Sequence, residues 1–170
     1  MKKVIILSLS LLIMTAKVAL CQDSQLTIDT HHPDFSVKVK RCVASGKTLI
    51  LDLTATNTGL DDINRFTLVP ILTEAVDDEG NSYRGNIGAK VGNQANYTYQ
   101  VNAFTDLAME TKLLPGIPVK LSIIIPNISQ EATSIALIEI GVVCPTWNYR
   151  VNFRSFTQRL TLRNIPITRK

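Results

Sequence analysis

The side chains with the most apparent chemistry lie in one short stretch, EAVDDEGNSYRG, from Glu74 to Gly85, where Asp77, Asp78 and Glu79 stand in a row before Gly80. Adjacent carboxylates can act as hard oxygen ligands for calcium, as a general acid and base, or as turn residues ahead of a glycine. An EF-hand loop does not fit. With Gly80 as its invariant glycine, the first and twelfth positions fall on Ala75 and Asn86, where carboxylates are required. A hairpin explains the same residues: acids suit the early turn positions, Gly80 suits the positive-φ site, and Ala75, Val76 and Tyr83 flank it as strand residues. On such an exposed tip, Asp77→Asn with Asp78→Asn is expected to change stability by less than about 0.5 kcal/mol. Gly80→Val is expected to cost more, because a β-branched residue resists positive φ. A looser calcium site, with Asp61 and Asp62 of NTGLDD joining Asp77, Asp78 and Glu79 at one end of the fold, stands as the alternative.

The remaining candidates offer less. Paired-carboxylate catalysis needs two acids in different environments across a cleft, yet Asp52 falls on the outward parity of its strand and Glu139 opposes the inward row of Ile138, Ile140 and Val142. His31 and His32 are adjacent, so a strand would send them to opposite faces, and no third metal ligand accompanies them. SGKT at Ser45 to Thr48 echoes the end of a phosphate-binding loop, but Arg41 stands where its first glycine belongs and a strand follows where a helix must begin. Trp147, Tyr149 and Phe153 share one strand parity and form either a ligand platform for a glycan or part of a core. Asn96-Tyr97-Thr98 and Asn127-Ile128-Ser129 fit the glycosylation acceptor pattern. These readings predict no catalytic residue, no metal site and no cofactor.

The amino terminus, MKK followed by an apolar run to Ala16 and a short segment ending Ala19-Leu20-Cys21, has the three-part form of a secretory signal peptide. It is too short for a comfortable membrane span, which needs about 20 apolar residues. Residues 1–21 are expected to be removed, leaving Gln22 first and no transmembrane segment; lipidation of Cys21 is the alternative, a lipid-anchored protein. The expected location is therefore the periplasm or the exterior. Lys2, Lys3 and Lys17 leave with the signal, so 18 basic and 14 acidic residues become 15 and 14, a net +1. That balance removes the main support for a nucleic-acid partner. The tail keeps Arg150, Arg154, Arg159, Arg163, Arg169 and Lys170 with no acid after Glu139, either a solvated strand face or an anion-binding one. Two cysteines remain, and in an exported chain the pair Cys42 and Cys144 predicts one disulfide. Cys42 lies on the opposite parity from Val37 and Val39, so it can face inward only past a bulge or an early strand end near Arg41.

Positioning falls to strands. A polar arm at 22–34 can pair at a sheet edge, and from Phe35 the period is two: Phe35, Val37 and Val39, then Leu49, Leu51, Leu53 and Ala55 beyond the ASGK turn. Phe66 and Leu68, with Pro70 to Leu72, read as the next strand; residues 85–96 read as loop; Tyr97 to Val101 reads as a short strand. Val119, Leu121, Ile123 and Ile125 form the clearest inward row, followed by strands at Ile135 to Val143, Trp147 to Phe153 and Leu160 to Ile167. Helix is confined to a turn near Asp106 to Leu113 or Gln130 to Ala132. Short strands separated by Gly, Asn, Asp and Pro turns predict one all-β domain over 35–168, an antiparallel β-sandwich.

TNTG at the end of a long alternating strand, DDEGNSY, LLPGIPVKLSIIIPN and the closing NIPI together resemble the immunoglobulin-like, telokin-like domains of unknown function in bacterial secreted proteins and lipoproteins. The likeness runs from about Phe35 to Ile167, with the Gly/Asn insertion at 85–96 and the cysteine pair as departures. It implies an immunoglobulin-like sandwich without established catalytic residues. The expected function is an exported binding or structural module of the cell envelope, with an envelope protein or glycan as partner. An envelope hydrolase using the acidic loops is the rival.

Overall fold

The computed structural model describes residues 25–31, 34–92, 97–101, 104–143 and 157–170. The expected signal segment with Cys21, His32, Asn96, Cys144 and the expected strand with Trp147, Tyr149 and Phe153 lie outside the described residues.

The alternating segments fold as expected. β1 (Thr27–Asp29), β2 (Phe35–Ser45) and β3 (Thr48–Asn57) open the chain; Leu49, Leu51, Leu53 and Ala55 are buried in every case. β4 (Ile63–Leu68) follows, then a single 3-10 turn over Pro70–Leu72, where the fixed φ of proline ends the strand that the sequence suggested. β5 (Glu74–Asp77) and β6 (Ser82–Arg84) form the acidic hairpin, with Gly80 at φ 84° supplying the left-handed turn position. Next come β7 (Gly88–Val91), β8 (Tyr97–Val101), β9 (Phe104–Leu113), β10 (Pro118–Pro126), β11 (Ser134–Val143), β12 (Thr157–Pro166) and β13 (Thr168–Arg169).

Two of these elements correct the sequence reading. The 85–96 segment is not all loop, since Ala89 and Val91 of β7 point inward and pair β7 along β10. Asp106 to Leu113 is strand, not a helical turn: β9 lies between β4 and β8, and pairing on both edges overrides the helical preference of its Leu, Ala, Met and Glu residues. No helix forms at Gln130 to Ala132 either.

The strands make two sheets, ordered β1-β12-β11-β4-β9-β8 with the β5–β6 hairpin on β11, and β13-β2-β3-β10-β7. Among the described strands all pairings are antiparallel except β13 with β2. The polar arm is thus incorporated through β1, which pairs with β12 at a sheet edge. One core lies between the sheets, built from Leu51, Leu53, Leu121 and Ile123 on one side and Phe66, Ile138, Ile140 and Leu160 on the other. The Phe35 and Phe66 rings meet across it at 5.2 Å. An all-β sandwich is therefore what the alternation encoded.

Two irregularities shape this frame. The β2–β3 register shifts between Val39 and Arg41, so the strand gains one residue at Lys40 and the parity changes. Cys42 and Ala44 consequently point into the core, as the cysteine position required. Opposite Gly141 of β11, the 3-10 turn separates β4 from β5 and replaces strand pairing with Val69 N donating to Gly141 O at 2.9 Å and Gly141 N donating to Thr73 Oγ1 at 3.2 Å.

Candidate functional site

The acidic hairpin is a turn whose Asp78, Glu79 and Gly80 are exposed as the sequence suggested, but Asp77 is not part of that exposed tip. Asp77 is 2% exposed. It accepts hydrogen bonds from the Glu79 and Asn81 backbone N–H groups at 3.0 and 2.8 Å, from Asn81 Nδ2 at 3.0 Å and from Tyr83 Oη at 2.6 Å. Burial alone would raise its pKa, but those donors outweigh burial and hold the carboxyl below its ordinary value. Asp78 reaches across to the loop before β11, accepting from Thr133 N at 3.0 Å and from the Thr133 hydroxyl. It too is held below its ordinary value, with hydrogen bonds outweighing burial. Both acids serve as acceptors for backbone that would otherwise lack partners, which is a structural role.

Tyr83 extends this network. Its hydroxyl donates to Asp77 and accepts from Ser129 N at 3.0 Å, joining the β5–β6 hairpin to the segment after β10. Burial and then the Asp77 hydrogen bond push the phenol above its ordinary pKa, so it remains a donor. The far segment is fixed independently: Ile128 is buried and its N–H donates to Lys47 O at 3.0 Å, while Arg169 donates to Ser129 O and Ala132 O, each at 2.6 Å. Asn127, at φ 58°, takes a left-handed conformation that asparagine tolerates.

Between these two walls lies an open cleft of about 450 Å³. Asn81, Ser82, Tyr83 and Arg84 line one side, Pro126, Asn127 and Ser129 the other, with Asn86 and Ile87 completing it. Arg84 is paired with Glu74 at 2.6 Å. The lining is amide, hydroxyl, guanidinium and aliphatic, without a carboxylate, imidazole or thiol. It can donate and accept hydrogen bonds, and among the described lining residues no carboxylate or imidazole stands beside the Ser82 and Ser129 hydroxyls.

The other candidates are dispersed. β4 and β5 run in the same direction along β11, Leu68 opposite Val142 and Asp77 opposite Ile135, so Asp61 and Asp62 sit at the far end of that edge from Asp77, Asp78 and Glu79. The five acids proposed for calcium are thus not brought together. Asp62 is instead paired with Lys112 at 2.6 Å, and no group of three or more metal-ligating side chains occurs among the described residues. His31 contacts Asp29 at 3.2 Å. Of the basic tail, Arg159 pairs with Glu139 and Arg169 is engaged as above. Cys42 is buried, 5% exposed, with no disulfide partner among the described residues, and as a thiol its pKa is pushed by burial up to about 12. Its intended partner Cys144 is outside the described residues.

Sequence reasoning missed the Tyr83–Ser129 tie and with it the cleft. The available signals were slight: an aromatic six residues beyond Asp77, and an Asn-Ile-Ser acceptor pattern just after the strongest strand. No protein-family model matches this chain, and no curated protein matches it in sequence.

Proposed function

We propose that the chain is an exported, non-catalytic immunoglobulin-like module of the bacterial cell envelope, and that it binds a polar, hydroxyl-rich ligand of the oligosaccharide class in the cleft between β6 and the Pro126 to Ser129 segment. The observation that carries this reading is the lining itself: hydrogen-bonding side chains on two walls tied by part-buried hydrogen bonds through Tyr83, without an acid, histidine or cysteine among them. Amide, hydroxyl and guanidinium groups around a cavity of this size suit recognition of hydroxyls, because they can both donate to and accept from them. Export rests on the MKK and apolar leader, and the immunoglobulin-like assignment on the antiparallel two-sheet frame together with the motifs quoted above.

The hydrolase alternative finds less support. A general acid at neutral pH needs a raised pKa, whereas Asp77 and Asp78 are held low and their oxygens are committed to hydrogen bonds. A panel of neutral and acidic oligosaccharides tests the proposal by calorimetry. Asn86→Ala and Asn127→Gly, the latter keeping the left-handed backbone accessible, should each weaken binding by about 2- to 10-fold, as loss of one neutral hydrogen bond does. If Trp147→Ala abolishes binding while both cleft variants leave it unchanged, the ligand sits on the Trp147, Tyr149 and Phe153 strand instead. Hydrolysis of any panel member would replace the binding module with an enzyme.

A further inference from the structure

We propose that the outer face of the β13-β2-β3-β10-β7 sheet, with the loop tips at one of its ends, docks the protein on an anionic lipid bilayer. The sheet register assembles a charge pattern that no segment shows alone. One row across the outer face runs Arg41, Asp52, Ser122 and Lys90; the neighbouring row runs Lys38, Thr54 and Lys120. Lys40 is exposed at the bulge beside them. With strands about 4.8 Å apart, these cations spread over roughly 15 Å of one sheet face.

The single acid in these rows is largely neutralised. Asp52 accepts from Arg41 Nε at 2.5 Å and Ser122 Oγ at 2.5 Å, with Lys120 Nζ at 3.7 Å, and is shielded from solvent. Lys38, Lys40 and Lys90 have no ion-pair partner among the described residues. The face thus holds five basic residues and one acid, a local +4, whereas the chain without residues 1–21 would carry 15 basic and 14 acidic residues, so its remaining 10 basic and 13 acidic residues leave the rest of the surface net negative. Four of the five cations are lysines, compact charges on flexible stems suited to a diffuse field of phosphates more than to forked recognition of one group. The outward residues of these rows include no aromatic, so bases and sugar rings find nothing to stack on.

A second observation favours a bilayer over a soluble polyanion. At the end of the sheet next to the Lys38 and Lys120 row, Leu60 is 97% exposed, Ile117 55% and Leu114 41%. Their two loops are locked together, Gly116 N donating to Asn57 O at 2.8 Å and Asn57 Nδ2 to Leu113 O at 3.1 Å. Asp34, Asp61 and Asp62 are the opposing charges at this end, Asp62 being paired with Lys112. Exposed aliphatic tips beside lysines match the headgroup boundary, where apolar insertion and attraction to anionic lipid act together. A soluble polyanion would leave the tips unused. This proposal does not rest on the cleft, which lies at the other end of β10, beyond Pro126, and stays open when the tips dock.

Vesicle flotation decides it, using protein recovered from cells expressing the full chain. Vesicles of phosphatidylcholine with about 30 mol % phosphatidylglycerol should retain the protein while pure phosphatidylcholine does not, and raising salt from about 0.1 to about 0.5 M should release it. Lys38→Glu/Lys90→Glu/Lys120→Glu should weaken retention by about tenfold or more, as should Leu60→Asp/Ile117→Asp, while Arg163→Glu on the other sheet leaves it unchanged. Melting temperature confirms folding; if the triple reversal melts early, the corresponding triple Gln variant carries the same expectation. Equal retention on both vesicle types, an unchanged triple variant, or heparin binding that ignores Leu60→Asp/Ile117→Asp without vesicle retention would each overturn the proposal.

Discussion

Asp77 was readable as a turn residue because acids before a glycine favour that geometry, and the hairpin with Gly80 at φ 84° is there. Its burial was not readable, because its covering groups come from Tyr83 and from backbone that folds back only in three dimensions. The expected neutrality of Asp77→Asn with Asp78→Asn is therefore replaced: at Asp77 alone an amide presents two hydrogens to donors at Asn81 and Tyr83, and that change should cost about 1–3 kcal/mol in urea unfolding. The same logic fixes a pH response. Asp52 and Asp77 have folded-state pKa values below their unfolded ones. Their stabilisation is complete above the unfolded carboxyl value, about 3.9, and is lost as pH falls through the lower folded value. The melting temperature should hold steady down to about pH 5 and fall below it, with a shallower acid slope in Asp52→Asn. Cys42 poses a separate residue-level question. Its position past the Lys40 bulge satisfies the geometric demand read from the sequence, and the export proposal pairs it with Cys144. Non-reducing peptide mapping should yield a linked Cys42 and Cys144 fragment, and two free thiols in protein taken from the envelope would refute the bridge.

At the scale of elements, strands with strict alternation such as β3 and β10 were legible because one face had to be apolar along its whole length. β9 was not, since its residues favour helix and only the β4 and β8 edges made it a strand. The break between β4 and β5 follows from Pro70 and from Gly141, whose missing side chain admits the 3-10 turn. A Cβ there would lie 2.6 Å from Leu72 Cβ and 2.8 Å from Val69 O. Gly141→Ala should therefore force the turn outward and cost about 1–3 kcal/mol, as overpacked cores do. Calorimetric melting measures it, and an unchanged melting temperature would mean that the turn is not held against β11.

At the scale of the molecule, the compositional reading foresaw a sandwich but not its polarity. The near-neutral balance expected of the exported form concealed a cationic sheet face, because Lys38, Arg41, Lys90 and Lys120 are scattered in sequence and meet only through the register of four strands. The cleft was hidden for the same reason, its walls being joined by the Tyr83 hydroxyl to Ser129, 46 residues away. Binding in that cleft without chemistry is the central functional claim. Amide chemical shifts of the ¹⁵N-labelled protein, followed while an oligosaccharide from the panel is added and the sugar's own signals are monitored, test it most directly. Saturable shifts confined to Asn81 through Ile87 and Asn127 through Ser129, with the sugar unchanged, are the predicted result; shifts centred elsewhere, or conversion of the sugar, would contradict it.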